Sequence, residues 1–359
     1  MVEADSIPPR ERLAHVDSLR LVAAGLVVLQ HFAERLSGAL AAALTEPGPG
    51  VAGVVLFFLI SGYVIPFSVR GGLNWRSFAV RRLLRIYPLF LVALALVALA
   101  GWGGLLGQWH DLPQAGALRW ASNLLLIQDF VGVRPILGVS WTLIFELVWY
   151  AMFAAALLIL GPRAGNVLAV AVPVCLLVLA AASLMAGWRI PLGRPGLIHA
   201  AVLGYQTFRY RTGALSSRGF GGSVAAFVAA TWLASIVSFG VFVHGHVTLG
   251  QVLGPWTLAT VIFLGVILWP RLRGSGLLDH GLAPRLGAAS YSVYLFHPVA
   301  MAAALQYAPG AFVPVAGVLT GLLAWGGYRL VELPGIALAR RLTVRAAEPV
   351  RAAPIGLPA

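Results

Sequence analysis

Three ionisable side chains stand inside long apolar runs: His31 in RLVAAGLVVLQHFAERL, Glu146 in VSWTLIFELVWY and His297 in SYSVYLFHPV. On insertion scales such a group costs about 2.5–3.5 kcal/mol at the bilayer centre, so each needs a reason to be there. At 1.5 Å per residue, His31 falls roughly 18 Å from the inner face and Glu146 roughly 10 Å from the outer one. In a hydrocarbon core of about 30 Å those depths are similar. A histidine and a glutamate at one level suit a general base and its orienting or proton-accepting partner. They equally suit interhelical hydrogen bonds that hold a bundle together. His297, with Tyr291 and Tyr294 at helical spacing, either touches substrate or satisfies backbone freed by Pro298. His199 is a weaker candidate of the same kind. His244 and His246 lack a third ligand, so they read as solvated loop residues and no metal is expected.

A second group of residues has phosphate chemistry. RSFAVRRLLRIYPLF carries Arg76, Arg81, Arg82 and Arg85, and Arg82 and Arg85 share one helix face. Paired guanidinium groups grip phosphate in a bidentate manner, which suits a diphosphate-bearing cytosolic donor such as coenzyme A. The competing reading is a snorkelling set that meets anionic lipid. No P-loop, GxSxG elbow or HExxH motif occurs, so nucleotide hydrolysis and the common hydrolase plans lack support.

The elements that must position these residues are membrane helices. Of 359 residues, 60% are apolar and 10% charged, against roughly 25% charged in soluble domains; mean hydropathy is +0.88. That excludes an ordinary soluble enzyme and a disordered chain. Ten apolar runs, near 19–36, 51–69, 83–101, 139–160, 166–187, 196–208, 222–243, 251–269, 287–306 and 311–328, predict an all-α polytopic bundle of about ten transmembrane helices. The run 196–208 is short and holds His199, Tyr205 and Gln206. The amphipathic stretch 116–132 is expected to lie along the interface.

All 25 basic residues are arginines, against 12 acidic ones. Counted over alternate loops, twenty fall on one side and five on the other; the positive-inside rule then puts both termini in the cytoplasm. Arginines placed between apolar runs argue for membrane orientation rather than nucleic-acid binding. A cleavable leader is not expected, because the first apolar run carries Gln30, His31, Glu34 and Arg35. The lone Cys175 excludes an internal disulfide. One membrane domain is expected over 1–335, followed by a disordered cytoplasmic tail over 336–359.

Taken together, the motifs resemble the acyltransferase-3 family of integral membrane O-acyltransferases. HVDSLRLVAAGLVVLQH is similar to its first helix, through Asp17, Arg20 and the ten-residue spacing from Arg20 to His31. Ser61, Gly62 and Tyr63 match a Ser-Gly-aromatic element. Arg82, Arg85, Tyr87 and Pro88 match an Arg-x-x-Arg plus aromatic-Pro element. Trp141, Leu143 and Glu146 match Trp-x-Leu-x-x-Glu. Ser290, Tyr291, Tyr294 and His297 match a late Ser-Tyr-x-x-Tyr-Leu-x-His element, and Glu332 with Pro334 a closing Glu-x-Pro. Leu21 replaces the small residue that usually follows the first arginine, which implies an altered helix contact.

The resemblance implies acyl transfer, usually O-acetylation from acetyl-CoA or another acyl-CoA, onto a hydroxyl of a sugar in surface polysaccharide, glycolipid or a related glycoconjugate. A macrolide or other small antibiotic is the rival acceptor. On this reading His31 is base or acyl carrier, supported by Glu146. Arg81, Arg82, Arg85 and Tyr87 hold the donor, and Tyr291, Tyr294 and His297 face the acceptor. Asp17, Arg20, Ser61 and Trp141 support the site. The partners are then the lipid bilayer, acyl-CoA and a glycan, with no nucleic acid, and the place is the cytoplasmic (inner) membrane. The fused esterase-like domain of many members is not expected. A glycolipid flippase also fits buried His and Glu, but leaves the arginine cluster and the ordered motifs unexplained. The acyl-transfer reading falls if the His31 ring is pressed into bare lipid with no cavity joining it to the arginine-lined cytosolic opening.

Overall fold

The computed structural model describes residues 13–69, 71–242, 247–269, 276–279 and 281–344. His244, His246 and the residues beyond 344 lie outside them. Among the described residues there is no β-strand. The longer helices are α1 (Ala14–Ala33), α2 (Gly38–Thr45), α3 (Pro49–Val64), α4 (Trp75–Trp102), α5 (Ala117–Leu124), α6 (Trp141–Leu160), α7 (Ala164–Ala186) and α8 (Gly193–Arg211). They continue as α9 (Ser217–Ser235), α10 (Gly250–Leu268), α11 (Leu282–Ala288), α12 (Ser290–Tyr307), α13 (Phe312–Gly327) and α14 (Leu333–Val344).

Every one of the ten apolar runs is occupied by helix. By length and composition, seven of the described helices are able to cross a membrane, or up to eight if the bent pair α11–α12 is one span. One of the seven, Gly138–Ala186, holds both α6 and α7. Helix α8 is not among them; His199, Tyr205, Gln206 and Thr207 are buried on it. The outer faces carry Leu99, Ile159, Met185 and Leu322, all exposed, as expected where hydrocarbon replaces water as the solvent.

Helix α3 runs through the middle, packed on α1, α8 and α10. Without a hydrophobic drive between helices in lipid, close backbone approach supplies the attraction. A Cβ at Gly62 would lie 1.8 Å from the carbonyl oxygen of Ala201, and one at Gly204 2.1 Å from that of Leu59. The α3–α8 seam is thus glycine on backbone in both directions. Gly53 repeats the arrangement against Ala23 of α1. Around this seam Trp149, Phe90, Phe153, Phe263 and Phe296 are fully buried.

Two segments differ from the sequence-based expectation. Only Ala117–Leu124 of the stretch 116–132 is helical. Beyond it the chain turns inward, because the Asn123 side chain accepts from the Ile136 amide at 2.8 Å and Gln128, wholly buried, donates to Ser140 Oγ at 3.0 Å. Side-chain amides have taken the backbone's partners, and the helix stops. The C-terminal segment also begins as helix: α14 runs to Val344, and Gly335 abuts the carbonyl of Leu84 on α4. The disorder expected from 336 therefore does not hold over 336–344.

Candidate active site

A cavity of about 100 Å³ opens between α1, α3, α4, α6 and α12, room for several waters. Its polar wall is made of Arg20, Arg82, Arg85, Glu146 and Tyr150, together with Ser61, Thr142, Tyr291 and Tyr294; Phe57, Phe58 and Leu143 supply apolar surface. The fold thus brings together the arginines of two sequence motifs, the glutamate of a third and the tyrosines of a fourth.

The three arginines differ in how far they are already committed. Arg20 donates to Asp17 at 2.7 Å, the charge pair the sequence suggested. Arg85 lies 3.5 Å from the carboxylate of Glu332, whose other oxygen accepts from Ser292 at 2.9 Å. Among the described residues Arg82 has no carboxylate in salt-bridge contact; it lies 5.4 Å from the ring centroids of both Phe78 and Tyr150, and its Nε is buried without a hydrogen-bond partner there. A guanidinium held on aromatic faces keeps its donors free for a planar anion. Arg81 and Tyr87 do not line the cavity; the Tyr87 hydroxyl turns to the carbonyl of Leu125 at 3.4 Å. Trp141 is also outside, 5.8 Å from the Arg194 guanidinium, which in turn binds Asp129 at 2.9 Å. Ser61 lines the cavity with its hydroxyl unpartnered.

The expected pairing of His31 with Glu146 is not formed. Glu146 accepts a hydrogen bond from Tyr150 and faces the arginines. His31 Nδ1 lies 3.0 Å from Glu34. The physical reason is the inward turn before α6. It lets α6 begin at the level of Tyr294, whose hydroxyl meets Thr142 Oγ1 at 2.8 Å and donates to the carbonyl of Val139 at 3.0 Å. Glu146 then lies about 6 Å along one helix direction and His297 about 4.5 Å along the other, so the two candidate levels are about 10 Å apart. Glu34, three residues from His31 and therefore on its face, is the partner that depth arithmetic alone passed over.

His31 does not line the cavity; its side chain is 39% exposed. It stacks on His297, centroids 5.3 Å apart with an interplanar angle of 19°. His297 is wholly buried, and among the described residues neither ring nitrogen makes a well-formed hydrogen bond; the Val293 and Tyr294 backbone lies nearest. Tyr294 lies next to it, 6.0 Å between ring centroids. The order is therefore cavity, Tyr294, His297, His31. Aromatic rings, rather than an open passage, join His31 to the arginines. Tyr291 lines the cavity too, with its hydroxyl given to the Ile86 carbonyl at 2.9 Å. His199 is buried against Phe227, remote from this cavity's lining.

A membrane helix bundle with a guanidinium-lined cavity and a stacked imidazole pair beyond its end, one ring buried and one exposed, defines a class: a membrane protein built to handle an anionic ligand beside groups able to carry a proton. Residues 13–329 match the acyltransferase domain of the acyltransferase-3 family, and the chain belongs to that family. It is 28% identical over 339 residues to the exopolysaccharide production protein ExoZ of Rhizobium meliloti (strain 1021), covering 85% of this chain and 95% of that protein. It is 31% identical over 196 residues to protein 2 in the picA locus of Rhizobium radiobacter, covering 48% and 97%. Similarity to nodulation protein 10 of Rhizobium leguminosarum bv. viciae is 33% over 154 residues, covering 37% and 41%. No solved structure matches. The protein is thus a multi-pass membrane acyltransferase of a non-aminoacyl kind.

Proposed function

We propose that this acyltransferase moves an acyl group, in the simplest case acetyl, from acyl-CoA on the cytoplasmic side to a sugar hydroxyl of a surface polysaccharide or related glycoconjugate. The chain then crosses the inner membrane ten times with both termini in the cytoplasm. The exopolysaccharide and nodulation names of its relatives support a glycan acceptor. The arginine-biased loops support the orientation.

The observation that carries this reading is the position of Arg82, with no carboxylate in salt-bridge contact among the described residues, in a cavity that ends on the tyrosine covering two stacked imidazoles. Arg82 takes the donor's phosphate charge, with Arg20 and Arg85 adding to the field. The thioester end points towards Tyr294. His31, oriented by Glu34 and backed by His297, accepts the proton of the sugar hydroxyl. The hydroxyl oxygen forms its bond to the acyl carbon, the carbon–sulfur bond breaks, and the departing thiolate takes up a proton. Glu146, hydrogen-bonded to Tyr150 beside Arg82, balances charge on the donor side rather than serving His31.

Coenzyme A titrated into the purified protein in detergent should bind, and Arg82→Ala should weaken it. Mass spectrometry of surface glycans from cells with and without the protein should differ by one acyl unit. Absence of coenzyme A binding, or identical glycan masses, would remove this reading and leave a translocating role in its place.

A further inference from the structure

Glu332 is absent from the cavity wall yet sits behind one of its arginines. The last turn before α14, Tyr328–Glu332, is a π-helical turn, an insertion that re-aims side chains and recurs at functional sites. It is flanked by two glycines in tight contact. A Cβ at Gly327 would lie 2.4 Å from the Phe296 ring, and one at Gly335 2.7 Å from the Leu84 carbonyl. The turn is thereby pressed against α12 and α4, and Glu332 is driven inward until its side chain has no exposure at all.

The carboxylate is shared unequally. Oε2 accepts from Ser292 at 2.9 Å. Oε1 faces Arg85 at 3.5 Å and makes no hydrogen bond. By contrast, the Arg20–Asp17 contact is 2.7 Å and hydrogen-bonded. Arg85 keeps 29% of its side chain exposed, and it lines the cavity. A guanidinium beside a buried carboxylate offsets part of the cost of that carboxylate's desolvation. A long contact without a hydrogen bond does so while leaving the donors of the guanidinium available.

We propose that Glu332 is the resident counter-ion of Arg85, held back by Ser292, and that it competes with an anionic donor for that guanidinium. Glu332 is in this sense a positioning residue that limits how tightly the donor is held and so speeds its release. The inference rests on the acyl-CoA reading above. It makes two changes to neighbouring buried residues act in opposite directions. Removing the charge but keeping the shape leaves Arg85 with no internal anion, so an external one binds better. Removing the Ser292 hydroxyl frees the carboxylate to close on Arg85, so an external anion binds worse.

The experiment titrates coenzyme A, and in a second arm inorganic pyrophosphate, into the purified full-length protein in detergent. Glu332→Gln should tighten coenzyme A binding on the order of tenfold. Ser292→Ala should weaken it, and Glu332→Gln should have no such effect in an Arg85→Ala background. In turnover, Glu332→Gln should lower KM for the acyl donor and lower kcat with it. Damage to packing would instead weaken binding in both single variants. Unchanged or weaker binding in Glu332→Gln, with a wild type that does bind, would overturn this inference and leave the acyl-CoA reading standing. A wild type that binds neither ligand would overturn both.

Discussion

The imidazole of His297 lies face to face with that of His31, 5.3 Å apart, and one ring is wholly buried while the other is 39% exposed. The pair spans the boundary between the closed interior and the accessible end of α1. In a face-to-face stack no N–H···N bond joins the rings, so His297 fixes the orientation of the His31 ring rather than sharing its proton. Replacing either histidine tests this. His31→Ala should abolish acyl transfer, and His297→Ala should reduce it by about 10²-fold, with membrane insertion unchanged in both. Near wild-type turnover in His31→Ala, measured by glycan acylation, would take that residue out of the chemistry.

Tyr294 closes the cavity by donating its hydroxyl to the Val139 carbonyl and meeting the Thr142 hydroxyl at 2.8 Å. For acyl transfer to reach His31, that ring must turn aside. Tyr294→Phe removes the latch and keeps the ring. It should destabilise the protein by only about 0.5–1.5 kcal/mol, because Thr142 still donates to the Val139 carbonyl at 3.1 Å. Turnover should fall less than in His31→Ala. Thermal denaturation in detergent and glycan acylation report the two effects separately.

Among the arginines that line the cavity, Arg82 alone has no carboxylate in salt-bridge contact among the described residues, so its loss should be felt in donor binding more than in folding. Arg82→Ala should cost coenzyme A affinity about 1.5–3 kcal/mol. Arg82→Lys should recover part of it, since a point charge cannot reproduce the planar fork. Equal affinity in all three proteins by calorimetry would show that the donor binds elsewhere.

The α3–α8 seam admits no side chain. Gly62→Ala would place a Cβ 1.8 Å from the Ala201 backbone oxygen, a contact neither helix relieves without separating. Destabilisation of at least about 1–3 kcal/mol is expected, seen as loss of the monodisperse peak on size exclusion. Gly221→Ala meets open space and should behave as wild type.

Outside the spans, the hydrogen bond from Arg119 holds the Asp111 carboxyl below its usual range. The folded form therefore binds its proton less readily than the unfolded one. This contribution is present above the unfolded carboxylate value, about 3.9, and is lost as pH falls through the lower folded value. Protection of the 103–116 segment in hydrogen exchange should decline on acidification through that range. Asp111→Asn should be less protected at neutral pH and should lose that acid-dependent decline.

Much of the site was legible because its residues obey helical spacing. Arg82 and Arg85 share a face, Asp17 reaches Arg20 across one turn, and Tyr291, Tyr294 and His297 recur at three. That His31 does not pair with Glu146 was not legible, since depth was counted from where apolar runs begin. The chain before α6 folds into the bundle through Asn123 and Gln128, which lowers Glu146 to the arginines. Glu34 could have been found from its three-residue spacing to His31. Glu332 could not have been tied to Arg85, because they are 247 positions apart and a π-helical turn sets their contact.

Composition and apolar run lengths alone determine a helical membrane protein, because hydrocarbon permits only closed hydrogen-bonding structures and sets their length. The ordered motifs alone determine its family. Which charges meet was decided in three dimensions. In a bundle, neighbours are chosen by where glycine lets backbones touch and by how far a loop dips between helices. Neither leaves a periodic mark in the chain.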